Sequence, residues 1–307
     1  MKGWQWLTMK ITNHSNLPDP IYRAILNDEY TPGDSDITVS QLSKPPRVVA
    51  LEKKHWSELE DDASNRLWML FGTIAHGILE KANVMGLVEQ RLFTEILGWK
   101  VSGKFDHFDY SGTKILDDYK MCSVWQAINH AKGESREWEY QANAYAFLLR
   151  EAGYEVKALR IQALLRDWRR SEMKRSPDYP RKNSLTVDLP MWNHEDARAW
   201  ITERVKLHQA AQKQLPLCSK EDRWQRADVW AIMKKGRKSA VSLKYSEEDA
   251  INSLTHLDAS HYIEVRKGEP VRCASEEYCL VGKNGFCSQW NEEKSAVQII
   301  EEAEVDK

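Results

Sequence analysis

Between Leu67 and Ala82 the apolar residues Leu67, Leu70, Phe71, Ile74, Ile78 and Leu79 recur three and four positions apart. This spacing predicts an amphipathic helix through FGTIAHGILEKA, with His76 near its core side. The pattern then turns strand-like in three runs, VEQRLFTEI, WKVSGKFDHFD and KILDDYKMC, and the Ser111-Gly112 turn between the last two suits an antiparallel hairpin. Helical spacing returns from Val124 to Ala131 and from Glu137 to Ala152. A further strand-like run, VKALRIQALLRDW, and a long helical pattern from about His194 to Gln214 follow. Upstream, a short helical pattern from Pro20 to Asn27 and the turn cluster Thr31 to Ser35 read as an N-terminal arm, and ITVSQLSKPPRVVAL is broken by Pro45-Pro46. The order helix, three strands, helices, strand predicts an α/β fold: a small mixed sheet flanked by helices. The expected organisation is an arm over 1–35, a core over 36–215, a cysteine-containing segment over 216–290 docked on that core, and an acidic tail over 291–307.

A chain of 307 residues, 42% hydrophobic and 29% charged, can bury one sizeable core or two modest ones. Its net charge of -2 gives no whole-molecule attraction to a polyanion, so such a partner has to be met by a local patch. One exists: residues 160–182 carry a net charge of +5. There Arg166, Arg169, Arg170, Lys174 and Arg175 are candidate DNA contacts, with Trp168 and Tyr179 interleaved to stack bases. A second basic run, Lys234 to Lys238, is a weaker candidate. No apolar run approaches a membrane span and the start lacks the features of a secretory signal, so the expected compartment is the cytoplasm, or the host cytoplasm for a phage-encoded protein. Five cysteines are too few for a disulfide scaffold and are read first as metal chemistry.

An ion of the Mg²⁺ type takes oxygen ligands, and phosphodiester hydrolysis adds the need for a nearby cation or base. Asp106, Asp118 and Lys120 can supply that set. Residues two apart on a strand share a face, so Asp118 and Lys120 project together while Asp117 and Tyr119 point the other way. Asp106, at the end of the neighbouring strand of the hairpin, is placed to share an ion with Asp118. Gln141 and Tyr145 lie four apart and so on one helix face.

In sum, the chain offers a helix with Gly72-Thr73-Ile74-Ala75-His76, a strand ending Gly103-Lys104-Phe105-Asp106, the triplet Asp118-Tyr119-Lys120, and a helix with Gln141 and Tyr145. That ordered set resembles the RecB-like branch of the PD-(D/E)XK nuclease superfamily, in particular its phage exonuclease and CRISPR-associated iron-sulfur exonuclease relatives, over roughly residues 36 to 290. The resemblance implies a restriction-endonuclease-like core. It implies that Asp106, Asp118, the Tyr119 carbonyl and His76 bind catalytic Mg²⁺ or Mn²⁺, and that Lys120 orients or deprotonates the attacking water. It also implies that Gln141 and Tyr145 contact substrate or the active-site strand. Glu89 stands where such families often have a strand acid and is read here as structural.

Cys273, Cys279 and Cys287 form a Cys-x5-Cys-x7-Cys trio, with Cys218 upstream in LPLCSKEDRW. Four thiolates suffice for a 4Fe-4S cluster or a tetrahedral zinc. The resemblance implies a cluster that staples the C-terminal segment, although the relatives place their lone Cys before the histidine motif, where SQLSKPPR has none. Cys122 reads as a core residue. The function expected is that of a metal-dependent DNA exonuclease acting on single strands or duplex ends in phage DNA replication, recombination or degradation. No Gly-x-x-x-x-Gly-Lys-Ser/Thr loop occurs, so any helicase or recombinase partner is a separate protein. The rivals are a flap or restriction-like endonuclease on the same fold, and a catalytically idle DNA-binding or adaptor protein with a structural cysteine site.

Overall fold

A computed structural model describes residues 9–28, 33–82, 85–275 and 277–292. It is a mixed α/β structure in which several small sheets are flanked by helices. Two compact units are distinguished, one of residues up to 50 together with 60–215, the other of 51–59 together with 216 onward.

In the first unit we label α1 (Asp19–Leu26), β1 (Ile37–Thr38), α2 (Leu67–Glu80), β2 (Leu87–Val88), β3 (Arg91–Ile96), β4 (Trp99–Lys104), β5 (His107–Phe108), β6 (Ile115–Cys122), α3 (Val124–Ala131), α4 (Glu137–Glu151), β7 (Ala158–Leu165), β8 (Ser184–Leu189) and α5 (His194–Lys213). The main sheet has the order β8-β7-β6-β5-β2. Only β6 and β7 run parallel in it, with Asp118 opposite Ile161. A smaller sheet has the order β1-β4-β3. Alternation in β7 turns Leu159, Ile161, Ala163 and Leu165 into the interior. Leu159 packs in one cluster with Ala142, Tyr145, Phe147 and Leu148 of α4 and with Ile201 and Val205 of α5, and Ile161, Ala163 and Leu165 pack in another with Val124, Ala127 and Ile128 of α3. The starts of α3 and α5 are fixed by Ser123 and Asn193, whose side-chain oxygens accept from the backbone N–H groups of Gln126 and Asp196 at 3.2 and 2.8 Å.

Three sequence expectations need correction. The run WKVSGKFDHFD is not one strand: β4 pairs with β3 in the small sheet, and only His107–Phe108 forms the hairpin with β6. The break has a cause, because Phe105 is fully buried and its N–H donates to the Gln90 carbonyl, while the Glu89 N–H donates to the Asp106 carbonyl, so the chain is drawn across from one sheet to the other. The described N-terminal residues, 9–28, are not a separate arm. Lys10–Thr12 pairs in parallel with Glu60–Asp62, and α1 lies against α2. Finally, α2 is a helix as expected, but none of its residues is buried, and Trp68, Met69, Phe71, Ile74 and Ile78 are exposed. The helix is held by contacts with α1, with β6 and with the turn at Ala63–Arg66.

The sequence predicts no sheet in the second unit, only a cysteine-containing segment over 216–290. It contains its own antiparallel sheet, β9 (Val229–Lys234) between β10 (Ser242–Lys244) and β11 (His261–Arg266), with α6 (Glu247–Leu254) against it. The acidic stretch from 293 lies outside the described residues. Among the described residues no helix is long and apolar enough to cross a membrane.

Candidate active site

Asp106 occupies the crossing between the two sheets, 8% exposed. Its Oδ2 accepts the N–H of Tyr119 at 2.6 Å, which seats it beside Asp118 on β6. From α2, His76 Nδ1 reaches both Asp106 Oδ1 at 3.4 Å and Glu89 Oε1 at 3.1 Å. His76, Glu89 and Asp106 each offer a ligand atom within 4.8 Å of the others, the spacing of a shared metal ion. Lys104 Nζ stands 2.5 Å from the second Glu89 oxygen.

Asp118 is buried, with Lys120 Nζ 2.7 Å from its Oδ2 as its ion pair. Asp117, on the opposite face, is engaged elsewhere: Arg160 donates to both its oxygens at 3.0 Å and Gln162 to one at 2.8 Å. The strand alternation thus leaves Asp118 for the site and gives Asp117 to a cross-strand ion pair.

The charges here are closely coupled, with His76, Lys104 and Lys120 set against Asp106, Glu89 and Asp118. Burial and the neighbouring Asp118 push the Asp106 carboxyl up to about 7, against the lowering influence of Lys120, His76 and the Tyr119 N–H. The hydrogen bond to Glu89 raises His76 above its ordinary value, overcoming burial, with the Asp106 charge adding to it. Burial works to raise Glu89, but the bonds from His76 and Lys104 outweigh it and the net shift is downward. Burial works to lower Lys120, but the charges of Asp118 and Asp106 dominate and hold it as an ammonium. Buried carboxylates that repel one another, with an imidazole aimed at the same point, are the donor set that suits a divalent cation.

Of the residues singled out in the sequence, His76 and Asp106 meet directly, and Asp118 and Lys120 adjoin them. Gln141 Nε2 donates to the Tyr145 hydroxyl at 2.9 Å. The Tyr145 ring lies on β4 at Gly103, where a Cβ would sit 2.8 Å from it. That pair is therefore placed against the small sheet's strand. Glu89, expected from the sequence to be structural, supplies the third atom of the group that could hold an ion. It follows β2 in the left-handed region, φ 51°, so strand alternation could not have aimed its side chain.

Arg166, Arg169, Arg170, Lys174 and Arg175 are exposed. The two aromatic residues expected to stack bases among them do not face solvent: Tyr179 is buried and its hydroxyl accepts the Arg169 N–H, and Trp168 donates to the Pro180 carbonyl while packing on the core. The exposed aromatic residue beside this patch is Trp68 on α2, with the Arg166 guanidinium 3.9 Å from its ring centre.

In the second unit Cys273, Cys279 and Cys287 are buried and Cys218 half-buried, and none forms a disulfide. Burial pushes the Cys218 thiol up to about 12, with Asp222 and then Cys287, Cys273 and Cys279 adding, so the four sulfurs share one neighbourhood. The Gln289 side chain clips the segment ends together, accepting the Cys218 N–H at 2.8 Å and donating to its carbonyl at 3.1 Å. Four gathered thiols suit a cluster or zinc, whose charge would favour the thiolates. Cys122 lies in the core with Val124 and Ile161.

No family model matches the chain, and no curated protein matches it. Among solved structures, the one titled "Crystal structure of SSO0001" is similar, with 17% sequence identity and a TM-score of 0.40, covering 61% of this chain and 84% of that one.

Proposed function

We propose that the chain is a divalent-metal-dependent nuclease of the PD-(D/E)XK type, hydrolysing phosphodiester bonds of DNA and working as an exonuclease on single strands or duplex ends. The observation that carries this reading is the convergence of His76, Glu89 and Asp106, with Asp118 and Lys120 adjoining. His76, Asp106 and Asp118 would hold Mg²⁺ or Mn²⁺, with Glu89 added to the set and the Tyr119 carbonyl at its edge. The bound ion would supply Lewis acidity toward a phosphate oxygen and a more acidic water. Lys120, kept cationic by Asp118, presents charge to the phosphate, where negative charge grows as the bond is cleaved. Glu89 orients His76, and Lys104 in turn orients Glu89. The exposed cations from Arg166 to Arg175 supply backbone attraction that the net charge of the chain does not.

The same reading assigns Cys218, Cys273, Cys279 and Cys287 to a 4Fe-4S cluster that fastens the second unit. Protein made anaerobically is expected to be brown and to hold iron and sulfide; a colourless preparation with stoichiometric zinc would replace the cluster by a zinc site.

The catalytic test is degradation of linear single-stranded DNA, labelled at either end, with Mg²⁺ or Mn²⁺. Asp106→Asn, Asp118→Asn and Lys120→Ala should each cost at least about a hundredfold in rate. Cleavage of a closed circle would make the enzyme an endonuclease. No metal-dependent cleavage by folded, cluster-loaded protein would overturn the reading.

A further inference from the structure

Leu67, Phe71, Ile74 and Ile78 are spaced four, three and four apart along α2, so they form one seam on the helix. Phe71, Ile74 and Ile78 are 42%, 47% and 65% exposed, and Trp68 at the helix start is exposed beside them. Leu67 and Leu70, on the same side, are half-buried. Helical geometry sets this seam about 180° from His76. The half-buried Gly72 and Leu79 share the His76 side, where the imidazole reaches Asp106 and Glu89. The seam itself carries no charged side chain. Water around such a face is released when the face is covered, and that release drives association.

We propose that this face is an interface between two copies of the chain, with α2 of one packed antiparallel on α2 of the other about a two-fold axis near Ile74. Area and chemistry choose the occupant. The exposed parts of Trp68, Phe71, Ile74 and Ile78, with the half-buried Leu67 and Leu70, amount to roughly 500 Å² of apolar surface. One side of a stable dimer covers about 800 Å², about three-fifths of it apolar, which is about the same apolar area. A phosphate backbone or an anionic lipid surface would call for cations, and α2 contains neither Lys nor Arg. An uncharged seam is instead complementary to itself, as a two-fold contact requires, and the spacing of four, three and four is that of paired helices. The antiparallel pairing sets Ile74 against its own counterpart and Phe71 of each copy against Ile78 of the other. Because His76 lies on the opposite side of the helix, the pairing leaves the metal-site residues of both copies uncovered.

The test follows the full chain by sedimentation velocity from about 0.5 to about 50 µM, a range that reaches the weaker interfaces of this size. The wild type should sediment as a dimer at the upper end. Ile74→Glu and Ile78→Glu should each weaken association about a hundredfold or more, since the pairing brings the new carboxylates into an apolar seam. Their urea midpoints should stay at the wild-type value, because both positions face solvent within one copy. Tyr245→Ser, at an exposed position of the second unit, should leave the Kd unchanged. Ile74→Lys should be monomeric alone and should associate when mixed with Ile74→Glu, because the two-fold sets position 74 against itself. A wild type that stays monomeric throughout would overturn the pairing, whether another protein or a lipid surface then takes the face. A dimer that survives both glutamate substitutions would place the contact elsewhere and overturn it too. Charge-swapped variants that stay apart when mixed would overturn the two-fold about Ile74.

Discussion

His130 shows how a single buried side chain sets a pH limit on this fold. It is 6% exposed and stacked on Trp138 with ring centres 3.7 Å apart, and burial depresses it from its ordinary value of 6.5 to about 4. The unfolded chain takes up this proton below 6.5 and the folded chain only near 4. The stabilising contribution is whole above 6.5 and is lost as pH falls, at about 1.4 kcal/mol per unit, to a total of about 3 kcal/mol. Urea unfolding at pH 7 and pH 5 should show this loss, and His130→Phe, which keeps a stacking ring but cannot titrate, should flatten that part of the slope. Glu89 gives a second expectation at the same scale. With one oxygen beside His76 and the other beside Lys104, Glu89→Gln should weaken Mn²⁺ binding at least about tenfold by calorimetry; unchanged affinity would remove Glu89 from the ligand set. The separation of Asp118 from Asp117 was legible in the sequence because it depends only on strand alternation. Glu89 was not, since a left-handed backbone residue escapes that rule, and neither was the seating of the Arg166 guanidinium on Trp68, nearly a hundred positions away.

At the scale of elements, the contact of α4 with β4 depends on the absence of a side chain. A Cβ at Gly103 would lie 2.7 Å from Leu148 Cδ1 and 2.8 Å from the Tyr145 ring, both in the core. Gly103→Ala should therefore force strand and helix apart and destabilise the first unit by about 1–3 kcal/mol, read as a lowered urea midpoint. Because Asp106 lies three residues on, cleavage should fall more than the stability loss alone accounts for; a variant with the wild-type midpoint would show that the helix yields freely. The long helices and the β6 and β7 strands were legible because each keeps one period over eight residues or more. The break at Phe105–Asp106 was not, because alternation continues through it and the cause is a pair of backbone bonds to residues 89 and 90. The strand β8 was hidden for another reason: its inward Leu185, Val187 and Leu189 follow a charged stretch that reads as loop.

For the whole molecule, the two units differ in what holds them. The first has two extended apolar clusters. In the second, among the described residues, the buried apolar side chains besides the cysteines are few, chiefly Leu51, Leu59, Ala231, Ile232, Met233, Ala250, Val281 and Trp290. A core of that size gains most from a further staple, and the proposed group on the gathered thiols would be one. Residues 51–59 belong to this unit although 157 positions separate them from residue 216, a return that no local pattern could announce. His55 makes it concrete by stacking on Phe286 at 4.2 Å. Hydrogen exchange followed by peptide separates the units without requiring a two-state transition. Cys273→Ser, or treatment with a chelator, should speed exchange in peptides from 216–292 and from 51–59 together. Protection in β6 and β7 should stay at its wild-type level. Loss of protection spread evenly over both units would mean that the cysteines support the first unit as well. No loss anywhere would mean that the small apolar core suffices and the thiols hold no structural group.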